Sequence, residues 1–113
     1  MLPDNAGRGT IPVEEGGWET VGPSAIAADR QAAPRAMTLE EVCAVPGQFA
    51  DAARHAVDAG FGCVEIHGAH GYLLHQFLSP MSNQRDDEYG GDFEGRTRLL
   101  LSLIHISEPT RLL

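Results

Sequence analysis

The clearest periodicity in the chain runs from Thr38 to Gly60. Thr38 followed by Glu41 is the spacing of a capping box, in which each side chain satisfies the other residue's free backbone N–H, so a helix is predicted to start at Leu39. Pro46-Gly47 is predicted to interrupt it, because an internal proline loses one hydrogen bond and crowds the preceding turn. A second helix is predicted over 47–59. Phe49, Ala52, Ala53, Ala56 and Val57 share one face there, and Asp51, Arg54, His55 and Asp58 share the other. Gly60 is placed to close it in the left-handed conformation. The alternation Cys63-Val64-Glu65-Ile66 then predicts a strand over 62–67, and a helix, a tight glycine turn and a strand make the second half of a βαβ unit. That strand is expected in a parallel sheet with helix 47–59 packed on it. Both faces of such a sheet are covered, so Glu65 is expected to be a paired structural carboxylate.

Residues 1–37 hold no sustained period. Gly7, Gly9, Pro12, Gly16, Gly17, Gly22, Pro23 and Pro34 break every possible element, and the segment reads as a long loop with Trp18 as its apolar anchor. Arg85-Asp86-Asp87-Glu88-Tyr89-Gly90-Gly91 reads as a solvated loop. A last helix opens with Glu94, Arg96 and Arg98 and leads into Leu99-Leu100-Leu101.

Chemistry is densest just after the predicted strand. His67, His70, Tyr72, His75 and Gln76 fall within ten residues, among Gly68 and Gly71, where backbone can approach a ligand closely. In parallel α/β folds ligands sit at the C-terminal ends of strands, where this run lies.

Composition narrows the partners. The 113 residues carry 16 acidic and 8 basic side chains, a net charge of -8. All eight basic residues are arginine. A surface of that sign repels a phosphate backbone, so no nucleic-acid partner is expected. No apolar run approaches the ~20 residues of a membrane span, and Met1-Leu2-Pro3-Asp4-Asn5 lacks the basic start and apolar stretch of a signal peptide, so no membrane partner is expected either. Cys43 and Cys63 are isolated thiols, which suits a reducing cytoplasm.

The run from Gly60 to Gly91 carries a family resemblance. Val-Glu-Ile-His-Gly-Ala-His-Gly-Tyr-Leu-Leu-His-Gln-Phe-Leu-Ser-Pro, then Ser82-Asn83-Gln84-Arg85 and Asp87-Glu88-Tyr89-Gly90-Gly91, resembles the old yellow enzyme family, FMN-dependent NAD(P)H:flavin oxidoreductases and ene-reductases. Glu15-Gly16-Gly17-Trp18, Gly22-Pro23-Ser24-Ala25-Ile26 and Pro34-Arg35-Ala36-Met37-Thr38 resemble the region before that motif, especially in the bacterial subgroup with two active-site histidines. The resemblance implies an α/β fold, a partial (β/α)8 barrel. It also implies FMN and NAD(P)H as cofactors. His67 and His70 fall on the substrate-binding pair that hydrogen-bonds the oxygen of an α,β-unsaturated carbonyl or nitro compound. Tyr72 falls on the catalytic proton donor. The full-length protein could then be a homo-oligomer. Two preset imidazole donors would stabilise negative charge developing on that oxygen, and a phenol held close can protonate a carbanion-like carbon.

Departures from the family accompany the match. A complete barrel of this kind takes about 250 residues, and the family's flavin contacts lie mainly on other strands, so no cofactor-binding residue is assigned here. Asn5-Ala6-Gly7-Arg8-Gly9 looks like a degraded form of the family's His-Ala-Gly-Arg-Lys, and Gly95 stands where the family usually has Asn. Residues 1–100 therefore read as a partial flavin oxidoreductase domain. Leu101-Ser102-Leu103-Ile104-His105-Ile106-Ser107-Glu108-Pro109-Thr110-Arg111 resembles translated adapter sequence from library preparation. Residues 101–113 are expected to be a non-native tail that does not continue the preceding helix. The chain is expected to be an inactive fragment of an enzyme. Two alternatives stand beside this reading: a non-enzymatic barrel fragment, and a metal-dependent hydrolase using His67-x-x-His70 with Glu65 or His75. Zinc needs three or four converging ligands, and the sequence offers no second cluster.

Overall fold

A computed structural model describes residues 10–29 and 31–107, with backbone only at 106 and 107. The degraded motif at 5–9 lies outside the described residues. A single 3-10 turn, Val13–Glu15, opens the described chain. Two strands of two residues each, β1 (Val21–Gly22) and β2 (Arg35–Ala36), follow and pair in parallel, with Val21 opposite Arg35 and Gly22 opposite Ala36. The long loop expected before Thr38 is thus mostly irregular, but its ends are tied together. Trp18 is not its anchor: the indole is 76% exposed, because the turn at Val13–Glu15 packs no core against it.

Helix α1 spans Leu39–Asp58 without a break. Its capping box forms as the sequence predicts, with Glu41 N–H donating to Thr38 Oγ1 and Thr38 N–H donating to Glu41 Oε2. The break expected at Pro46-Gly47 is absent. The proline removes one hydrogen bond at a cost of about 3 kcal/mol. Val42, one turn earlier, and Val45, the residue just before it, are buried in the core and hold the helix axis through it. Gly60 at φ +93° ends the helix: its N–H donates to Val57 O, and Phe61 N–H donates to Ala56 O. That double bond is a Schellman motif, which satisfies two carbonyls the helix would otherwise leave free.

Two further helices complete the fold, α2 (Leu73–Leu78) and α3 (Phe93–Ser107). Asp92 Oδ1 accepts from Gly95 N–H at 2.9 Å, a side-chain cap at the start of α3. Both α1 and α2 pack on α3, and α2 also touches β1. The core is Met37, Val42, Val45, Leu74, Phe77, Leu99 and Leu103, with Ile66, Leu73, Tyr89 and Leu100 packed against it.

Two expectations are corrected here. Residues 62–67 form no strand: the chain bends at Gly62 and is irregular from 63 to 67. A strand is defined by its ladder, and the described residues offer no neighbouring strand beside this segment. Helix 47–59 therefore has no sheet to lie on, and Glu65 is exposed rather than paired in a covered sheet. At the other end, residues 101–107 continue α3, and Leu103 enters the core. Leu99 and Leu103 lie four residues apart, so one helix face carries both into the contact with α1.

Candidate active site

Three side chains converge where 66–72 passes Leu100, midway along α3. Ile66 and Leu100 pack against the core, and Gly68 lies close enough to Leu100 that a β-carbon there would sit 3.7 Å from it. This contact sets the base of His67. The chain then turns through His70 at φ +59° and Gly71 at φ +78°. Left-handed backbone is costly for a residue with a β-carbon, and two such residues in succession fold the loop back on itself. The result brings the His67 and His70 rings to 5.1 Å between centroids and the His67 and Tyr72 rings to 5.3 Å. All three are exposed, Tyr72 at 46%. The sequence-predicted trio is one cluster, open to solvent, with the His67 ring beside both the His70 imidazole and the Tyr72 phenol.

The loop is held from below by α2. His75 Nδ1 accepts from Gly71 N–H at 2.8 Å, and Gln76 Nε2 donates to Gly71 O at 2.8 Å. Gln76 also reaches β1, where a β-carbon on Gly22 would lie 3.2 Å from Gln76 Oε1. His75 and Gln76 were legible only as part of a polar-rich run. The signal for their bracing role is their position four and five residues after a glycine, on the first turns of a helix that the sequence reading did not place. Because His75 Nδ1 is engaged by an amide, it does not converge with His67 and His70. Among the described residues, no three His, Cys, Asp or Glu side chains gather as a metal would require.

The stretch read as a solvated loop is a partly buried, hydrogen-bonded knot in which Asp86 and Glu88 remain exposed. The Arg85 side chain is 8% exposed. It donates to Pro23 O at 3.0 Å, to Met37 O at 2.7 Å and to the Asp87 carboxylate. Arg85 thereby holds Asp87 below the usual carboxylate range. Buried Asn83 donates to Phe77 O and Tyr89 O, both at 2.8 Å, and accepts from Arg85 N–H. Burial pushes the Tyr89 phenol up, and the Cys43 thiol 3.7 Å away adds to the shift. Glycine is required at two points, since a β-carbon at Gly90 would sit 2.3 Å from Arg85 O and one at Gly95 would sit 2.0 Å from Gly90 O. The family's usual Asn at position 95 would not fit this packing.

Similarity to known proteins bears on the same residues. The sequence profile of the NADH:flavin oxidoreductase / NADH oxidase family matches residues 7–107. A NADH:flavin oxidoreductase of Gibberella zeae is 53% identical over 97 residues, which is 82% of this chain and 24% of that protein. A NADPH dehydrogenase of Bacillus subtilis is 54% identical over 83 residues, 73% of this chain and 25% of that protein. Morphinone reductase in complex with tetrahydroNAD superposes with a TM-score of 0.77 at 32% identity, covering 82% of this chain and 30% of that structure. The chain thus spans about a quarter of the curated relatives it matches. Its fold is part of a (β/α)8 barrel.

FMN would need a phosphate site as well as a ring site. Arg35, Arg54, Arg85, Arg96 and Arg98 are all engaged, with Glu19 and Glu41, with Asp51, with Asp87, with Leu78 O and Gly91 O, and with Glu88 O and Glu94 respectively. The concavity beside Arg85 and Arg98, about 350 Å³, is lined by Asp86, Asp87, Glu88, Asp92 and Glu94, charges that repel a phosphate. The described residues therefore do not fit the phosphate side of a flavin site. With the profile covering most of its length and the trio His67, His70 and Tyr72 gathered at one loop, this chain belongs to the NADH:flavin oxidoreductase / NADH oxidase family, FMN-dependent oxidoreductases that use NAD(P)H.

Proposed function

We propose that this chain carries the substrate-oxygen site of an ene-reductase and that, on its own, it is an inactive fragment of that enzyme. The single observation that carries the reading is the gathering of the His67, His70 and Tyr72 rings at one solvent-exposed loop. His67 and His70 are the substrate-binding donors. Each can offer an N–H to the oxygen of an α,β-unsaturated carbonyl or nitro compound, and fixed donors at that oxygen stabilise the charge it gains when the alkene is reduced. Tyr72 is the catalytic proton donor, its hydroxyl delivering a proton to the carbon beside the activating group. FMN, reduced by NAD(P)H, supplies the hydride in the family; no residue assigned to its phosphate is found among the described residues. A relative described as a probable flavin mononucleotide-dependent alkene reductase, from Leishmania infantum, is 43% identical over 117 aligned positions, which supports the substrate class.

The tail expected to be non-native over 101–113 is kept only beyond Ser107, because the family profile runs to residue 107. The continuation of α3 to Ser107 requires only apolar residues at helical spacing, which Leu99 and Leu103 provide. Unpaired Cys43 and Cys63 support a cytoplasmic setting, and no helix among the described residues is long and apolar enough to cross a membrane.

A chimera tests the site. Residues 10–100 of this chain replace the matching stretch of the Bacillus subtilis relative, completing the barrel. Tyr72→Phe in that chimera should slow alkene reduction while flavin reduction by NAD(P)H stays nearly unchanged. His67→Ala or His70→Ala should weaken phenol binding and turnover together, by about 2.7–4 kcal/mol for the loss of one donor to a developing oxyanion. Unchanged alkene reduction in all three variants would refute the assignment. The 113-residue chain mixed with FMN should elute colourless from a desalting column.

A further inference from the structure

We propose that His75 is the positioning residue of the site: its neutral imidazole, accepting from Gly71 N–H, fixes the left-handed turn that brings His70 and Tyr72 onto His67. This inference rests on the substrate-oxygen reading for its purpose, but its geometry stands apart from it. His70 at φ +59° is strained for a residue with a side chain, and among the described non-glycine residues it alone has a positive φ. Such backbone persists only where its surroundings over-determine it. Two side chains of α2 do so here, His75 at the Gly71 N–H and Gln76 at the Gly71 C=O. The Gly71 N–H belongs to the peptide that leaves His70, so the His75 contact acts on the strained residue directly. The Gln76 contact acts on the peptide that enters Tyr72. Gln76 Oε1, packed near Gly22, ties that side of the clamp to β1.

The chemistry of the contact specifies the imidazole. A backbone N–H can donate only to an unprotonated ring nitrogen, so His75 carries its proton on Nε2. An asparagine amide places its Oδ1 where the histidine has Nδ1, at the same distance from the backbone. Asn can therefore keep the clamp, and Leu, of similar bulk, cannot.

The experiment is nuclear magnetic resonance on the full 113-residue chain without ligand. Long-range proton–nitrogen correlation should show His75 as the Nε2–H tautomer. Contacts between the His67, His70 and Tyr72 rings should be observed. His75→Leu should abolish the His70 and Tyr72 ring contacts to His67 and speed Gly71 amide exchange about fivefold to tenfold, the loss of one hydrogen bond. His75→Asn should restore both. Ring contacts that survive in His75→Leu would overturn the proposal, as would a wild-type His75 protonated at Nδ1 or a wild-type Gly71 amide without protection. Failure of the substrate-oxygen reading would show instead in the chimera, as unchanged phenol binding in the His67 and His70 variants, and would leave these resonances untouched.

Discussion

The molecule has two regions built from similar lengths of chain and held in opposite ways. In the knot at 83–98, Asn83 and Arg85 direct their donors into backbone carbonyls from four separate stretches, and Gly90 and Gly95 let backbones meet within van der Waals contact. In the limb at 49–65, Phe49, Val57, Phe61 and Val64 are exposed, and the irregular segment after Gly60 has no ladder. The knot is specified by polar groups that have no alternative once buried. The limb is specified by local helix signals alone, and its apolar residues find nothing among the described residues to cover them. The candidate site sits between the two, its base on α3 and its loop braced by α2. Burial of hydrogen-bonding groups, rather than of apolar area, is what makes the knot the better-determined half.

The largest effect expected from this contrast is at Arg85. Arg85→Met leaves Pro23 O, Met37 O and the partly exposed Asp87 carboxylate without their partner, and each buried group left unsatisfied costs about 1–3 kcal/mol. Urea unfolding followed by circular dichroism should find no folded baseline in this variant. A midpoint within error of the wild type would mean the knot is ornamental. Gly90→Ala comes next, since its β-carbon must displace the Arg85 backbone, and overpacking of this kind costs about 1–3 kcal/mol. The same titration measures it.

Acid gives a smaller, graded effect. Arg85 lowers the Asp87 pKa in the folded chain, so the unfolded chain takes up the proton first as pH falls. The stabilisation is fully present above the ordinary carboxylate pKa of about 3.9 and is lost as pH drops through the depressed folded value. Unfolding midpoints measured from pH 6 downward should hold steady and then fall below about pH 4, with the fall reduced in Asp87→Asn. A decline that began near neutrality would point to another group. The smallest effect is at the limb. Phe61 is 66% exposed, and Phe61→Ser should shift stability by no more than about 0.5 kcal/mol, as surface substitutions do. A loss several times larger would show that the limb is packed in solution and would erase the contrast.

Local signals carried the elements that the sequence made legible. The capping box at Thr38 and the stop at Gly60 satisfy backbone groups within a few residues of themselves, so they can be read without knowing the rest of the chain. The trio His67, His70 and Tyr72 was legible by its resemblance to a family, because a contiguous motif survives when the barrel around it is not in view. The remainder depended on groups far apart in sequence. Pro46 stays inside α1 because Val42 and Val45 are anchored on α3. Residues 62–67 fail to become a strand because pairing needs a neighbour that no local pattern supplies. Arg85 looks like a surface charge in an acidic run, and only the approach of Pro23 and Met37, 62 and 48 residues away, makes it a buried clamp. The sequence by itself determined where α1 begins and where Gly60 stops it, and brought His67, His70 and Tyr72 forward as candidates. Tertiary structure decided which charges are buried and which segment lacks a partner, because those depend on what meets across space.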